Sequence, residues 1–203
     1  MSDRSKNNLP QGTPPELLAA IETAVRNVVG QHGPNAFAMP QEAAIAPEVG
    51  HAIVATHEGL GIKSISIFSR GRLWGGWCVC DGPAWTTGPD TSAANDFSAA
   101  RLIIAGLAGE AICGLDRAGS SLDELALSQL VGLNAATKLA DPNLSGEDYN
   151  TYAQRLWHEQ VWGVVITILR NHREPFQRLA GLLQERKEVK GGTLRRVLRR
   201  VSS

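Results

Sequence analysis

Residues 41 to 58 constrain the fold more than any other stretch. Ala43, Ala44, Ile45, Ala46, Val49, Ala52, Ile53, Val54 and Ala55 occupy most sides of a helix, so this segment is stable only as a helix buried on most faces. Pro47 interrupts it, and Gly59, Leu60 and Gly61 end it. The period then changes. Ser64-Ile65-Ser66-Ile67 alternates as a half-buried strand does, Arg70-Gly71-Arg72 makes a turn, and Leu73 to Cys80 returns as a second strand. Gly75-Gly76 within it marks a bulge or a close backbone approach. Asp81-Gly82-Pro83 is a further turn.

Around this nucleus the chain reads as helical. Residues 1–14 are polar, lack an apolar period and are expected to form a disordered arm. Residues 15–203 are expected to form one domain. Pro14-Pro15-Glu16 opens a helix with Leu17, Leu18, Ile21, Val25, Val28 and Val29 on one face. Ser92 to Cys113 reads as a helix closed by Gly114, and Ser121-Leu122-Asp123-Glu124 has the form of a capping box. Tyr149 to Asn171 is helical with Leu156, Trp157, Val161, Val164, Val165 and Ile168 inward. Pro175 starts another helix, Gly191-Gly192 breaks it, and Thr193 caps a last one to Val201. The fold class is mainly α with a small β-hairpin (α+β).

Composition narrows the function. Twenty basic residues balance twenty acidic ones, so nothing draws the chain generally to nucleic acid or an anionic membrane. The segment from Gln184 onward is basic, and Arg195, Arg196, Arg199 and Arg200 read as a solvated helix face. Three cysteines without a Cys-x-x-Cys pair build neither a disulfide framework nor a four-cysteine zinc site. Cys78 and Cys80 share one strand face and read as core thiols. Trp74, Trp77 and Trp85 cluster near the hairpin. The polar N-terminus has no signal-peptide core, and no apolar stretch is long enough to span a bilayer, so a cytoplasmic location is expected.

The segment that carries chemistry is Pro47-Glu48-Val49-Gly50-His51. In a His-Glu-x-x-His helix, two imidazoles one turn apart share a zinc ion, and the glutamate takes a proton from the zinc-bound water. Glu48 and His51 stand where that glutamate and second histidine would be, and Pro47 stands in place of the first histidine. His57 lies six residues beyond His51 and points well away on a continuous helix. No Gly-x-Ser-x-Gly elbow or phosphate loop competes.

The wider stretch resembles the His-Glu-Ala-Gly-His helix of the FtsH-type zinc metalloproteases, followed by a similar loop and strand. Ile104-Ala105-Gly106-Leu107-Ala108-Gly109-Glu110-Ala111 resembles that family's Ala-Gly-x-x-Ala-Glu helix. Asn171 to Leu183 and Lys190-Gly191-Gly192-Thr193-Leu194 resemble its C-terminal helix pair. The resemblance is collinear over about residues 40–200.

That resemblance implies a peptidase domain alone, without a fused ATPase or membrane anchor. It implies Glu48 as catalytic base, and His51 and Asp123 as metal ligands, with Asp116 and Glu124 as alternative registers for the acidic ligand. It also implies an extended peptide or unfolded protein held along the hairpin's outer strand, with Trp74 and Trp77 as substrate contacts, and a separate ATPase as a possible supplier. An active member would hold zinc. With Pro47 in place of the first imidazole, this chain is expected to hold none and to act as a pseudopeptidase or peptide-binding module.

Overall fold

The computed structural model describes residues 41–70, 73–81, 87–115 and 122–201. The expected N-terminal arm and the helix after Pro15 lie outside them. The elements in chain order are α1 (Gln41–His57), β1 (Gly61–Arg70), β2 (Leu73–Asp81), α2 (Ala93–Ile112), α3 (Leu122–Leu139) and α4 (Gly146–Trp157). A π-helical turn, His158–Trp162, leads into α5 (Gly163–Asn171), α6 (Arg173–Arg186), β3 (Glu188–Lys190) and α7 (Gly191–Leu198). The fold is mainly helical with a small antiparallel sheet.

Helix α1 is the centre of the core. Val49, Ala52, Ile53 and Val54 are fully buried, as a helix apolar on most sides requires. Pro47 lies inside α1 and is not its first residue. Lacking an N–H, it leaves the Ala43 carbonyl without its helical donor, at a cost of about 3 kcal/mol in an ordinary helix interior. Two glycines let α1 and α2 approach at backbone distance. A Cβ on Gly50 would stand 2.3 Å from the Ala105 carbonyl oxygen, and one on Gly109 would stand 2.4 Å from that of Ala46. This small-residue crossing sets the depth at which side chains between the two helices meet.

The sheet order is β2-β1-β3. β1 pairs with β2 from Gly61↔Asp81 to Arg70↔Leu73, with an irregularity between Ile62 and Ser64. β3 pairs with the other edge of β1 through Ser64↔Lys190, Ile65↔Val189 and Ser66↔Glu188. The two-stranded hairpin expected from the sequence is therefore corrected to three strands. Glu188-Val189-Lys190 holds one apolar residue, too little for a recognisable alternation, and its strand state comes from its partner. Ile65, Ile67 and Val189 face the core. Phe68, Trp77 and Val79 remain exposed, and the Phe68 and Trp77 rings stack at 6.0 Å.

Polar ties join the remaining helices. Trp157 donates its indole N–H to the Ser128 hydroxyl at 3.1 Å, and that hydroxyl donates to the Ala100 carbonyl at 2.9 Å, linking α4, α3 and α2. Asp96, fully buried near the start of α2, accepts from Lys138 at 2.5 Å and Thr91 at 2.6 Å. The single helix expected over 149–171 starts at Gly146 and contains the π turn, which stacks Trp157 on Trp162 at 6.2 Å. Among the described residues no helix is long and apolar enough to cross a membrane.

Candidate functional site

Glu48 and His51 lie one turn apart on α1, between the sheet and α2. The close approach expected at Gly75-Gly76 occurs at Gly76. A Cβ there would stand 2.3 Å from Cγ of Glu48, so any larger residue at this crossing would displace the Glu48 side chain. On the other side, a Cβ on Gly106 would stand 2.7 Å from both His51 Nε2 and Glu124 Oε2. The Ala-Gly-rich pattern of α2 thus leaves room for a polar pair.

His51 is held at both nitrogens. Nδ1 lies 3.0 Å from the Leu102 carbonyl oxygen and Nε2 lies 3.2 Å from Glu124 Oε1. A carbonyl and a carboxylate both accept, so both ring nitrogens donate and the ring is an imidazolium. Burial alone would push the ring's pKa down. The charge and hydrogen bond of Glu124, helped by Glu48 and the Leu102 carbonyl, overcome that and raise it to about 9. Burial lifts Glu48 to about 7, with His51 opposing and Glu124 adding to the rise. The Oε2 atom of Glu124 is buried and accepts no hydrogen bond from the described residues. Two carboxyl groups therefore share one imidazolium, and Glu48 can exchange a proton near neutral pH.

The acidic partner of His51 is Glu124, where the sequence reading put Asp123 first. Asp123 instead accepts the backbone N–H of Glu124 at 3.0 Å. Burial and the neighbouring Glu124 charge raise its pKa. Adjacent residues in the first turn of α3 point about 100° apart, so only one of them can reach α1. Asp116 lies outside the described residues. His57 faces away from His51, its ring 5.8 Å from that of His172.

Trp74 and Trp77 do not form one contact surface. Their odd spacing puts them on opposite faces of β2. Trp74 packs against the core with the Lys187 ammonium 5.4 Å from its ring centre, while Trp77 stacks on Phe68 outside. Trp85 lies outside the described residues. Cys78 and Cys80 share the face of Gly76 and, as expected, pack half-buried against the core. The neighbouring Cys80 thiol, then burial and Glu48, raises Cys78 well above the usual thiol range. The neighbouring Cys78 thiol lowers Cys80 to about 7, against burial and with help from the His51 charge. The two-residue spacing and the Gly-x-Cys-x-Cys parity carried this placement in the sequence.

The arrangement does not fit zinc held as in a His-Glu-x-x-His site. Proline at position 47 offers no donor, and His51 has no free lone pair while both nitrogens donate. Among the described residues no three His, Cys, Asp or Glu side chains stand close enough to share an ion. No family model matches this chain, and no curated protein matches it.

Proposed function

We propose that this chain is an FtsH-like metallopeptidase domain that has lost its metal and works as a pseudopeptidase, binding extended polypeptide without cutting it. The observation that carries the reading is the His51 imidazolium, clamped between the Leu102 carbonyl and Glu124 one turn after Pro47. Glu48 and His51 keep the spacing of a zincin helix, while a proline replaces the first ligand and an internal ion pair uses the second. Binding is supported by β2. It is a sheet edge among the described residues, it passes directly over Glu48 at Gly76, and an open edge can add an extended chain as a further strand.

The test is calorimetric titration of zinc into the wild type and Pro47→His. The substitution puts an imidazole one turn from His51 on a continuous helix and returns an N–H that can bond the Ala43 carbonyl. Wild type is expected to bind no stoichiometric zinc, and Pro47→His is expected to bind one equivalent. Equal affinity in both would remove position 47 as the lesion. Tight zinc binding with peptide hydrolysis by the wild type would establish instead an active peptidase with Glu48 as base.

A further inference from the structure

We propose that the groove between the end of α1, the start of β1 and α7 binds a small organic phosphate monoester. Arg195 and Arg199 take its phosphate, and its apolar body lies on Leu60, Ile62 and Leu198. The proposal is independent of any polypeptide-binding role. It rests on where the fold leaves two guanidinium groups without a carboxylate.

The groove has a volume of about 520 Å³, within the range of small-molecule sites. Its floor is apolar: Leu198 is buried, and Leu60 and Ile62 are half-buried against the core. Gly59, with a φ of 85°, makes the left-handed turn between α1 and β1. No other part of the fold stands within 4 Å of where its Cβ would be, so the groove stays open on that side. One wall is α7. The Arg199 amide bonds the Arg195 carbonyl at 3.0 Å, so the two residues keep helical spacing and lie on one face, one turn apart. Both are exposed and both line the groove.

Charge selects the ligand. The chain is neutral as a whole, so any attraction here is local. Among the described residues no acidic side chain lines the groove, and neither guanidinium is held in an ion pair. The two carboxylates beside it are engaged elsewhere: Glu58 by Arg101 and Ser98 of α2, and Asp81, opposite Gly61, by Lys63 at 3.5 Å. The carbonyl ends of α1 and α7 also lie here. Each counts for at most about half a negative charge, so two full positive charges prevail. One guanidinium fork takes up both oxygens of a carboxylate. A phosphate monoester has three terminal oxygens and about two negative charges at neutral pH, and so serves both arginines. The floor favours a monoester over inorganic phosphate, because an aromatic or alkyl body buries apolar surface there.

Phenyl phosphate, inorganic phosphate and phenol are titrated calorimetrically into the full chain at low salt. Phenyl phosphate is expected to bind at one site, about tenfold more tightly than inorganic phosphate, and phenol is expected not to bind. Arg195→Ala and Arg199→Ala are each expected to weaken phenyl phosphate about tenfold, and Arg195→Lys to recover only part of the loss, because an ammonium lacks the fork. Arg196, one residue on, does not line the groove. Arg196→Ala makes the same change in net charge and is expected to leave the affinity nearly unchanged. All three arginines are exposed, so the variants keep the fold, which far-UV circular dichroism checks. Absence of saturable phenyl phosphate binding overturns the proposal. So does an equal loss in Arg196→Ala, the mark of a diffuse basic face, or equal affinity for phenyl and inorganic phosphate, which leaves the floor without a role. Tighter binding of a short single-stranded oligonucleotide through the same two arginines would make the groove a nucleic-acid interface and overturn it as well.

Discussion

Glu48 and Glu58 lie at opposite ends of one environment gradient along the same helix. Glu58, just past the end of α1, is gripped by Arg101, with Nε at 2.5 Å and Nη2 at 3.1 Å, and by the Ser98 hydroxyl at 2.7 Å. Burial works to raise its pKa, but those bonds prevail and hold it below the usual range. Glu48 has no such fork. Burial prevails there, and the group sits near 7. The contrast separates two uses of a carboxylate: Glu58 fastens α1 to α2, and Glu48 is kept ready to gain or lose a proton.

Breaking the fastened end should have the largest effect. Arg101→Ala strands the Glu58 carboxylate and is expected to cost about 3 kcal/mol, read from urea denaturation at neutral pH. A loss below about 0.5 kcal/mol would make the two ends equivalent.

The pH dependence comes next. Glu48 and His51 both have folded pKa values above their ordinary ones. For His51, the stabilisation is complete below its ordinary value of 6.5 and is lost as pH rises through about 9. For Glu48, ionisation is penalised in the fold, so stability falls as pH rises from 4.5 toward about 7. Glu58 acts on the other side: its contribution is present above 4.5 and is lost as pH falls through its depressed value. Stability should therefore peak at about pH 5 and decline by several kcal/mol toward about pH 9. Thermal unfolding across that range checks it, and a plateau from about pH 5 to about pH 9 would remove the strained pair.

One substitution then has opposite signs at the two sites. At about pH 8, Glu48→Gln removes a charge the fold penalises and is expected to stabilise by about 1 kcal/mol, an advantage that disappears near pH 5. Glu58→Gln is expected to destabilise at both. Chemical denaturation of both variants at the two pH values measures this directly.

The smallest effect belongs to the sheet's outer face. Trp77 is 38% exposed, so Trp77→Ser should change stability by no more than about 0.5 kcal/mol. Any loss of affinity for an extended peptide, followed by fluorescence anisotropy, would then report binding alone.

Much of this was legible in the sequence. The apolar content of α1, the alternation in β1 and the Ser92 cap of α2 each state a local preference, and each element forms where its pattern lies. Glu48 and His51 were legible because one helix fixes their spacing. Glu124 was not, because choosing between neighbouring acids depends on how α3 is rotated against α1. β3 and the π turn were hidden for a related reason: pairing and packing from elsewhere decide them. Trp74 and Trp77 could have been separated by counting parity along β2.

The late arrival of β3 bears on how the chain acquires its shape during synthesis. β1 is finished by residue 70, yet the strand on its far edge comes from residues 188–190, and the Ile67 amide is bonded at 2.8 Å by the carbonyl of Lys187. A ribosome must add more than a hundred residues before that edge is covered. At about 5–20 residues per second, the hairpin waits roughly 6 to 24 seconds with an unpaired side. Such long-range closure slows folding and leaves an interval in which two nascent copies could pair through β1. Lys63, already made within β1, places charge near where such a mispairing would begin.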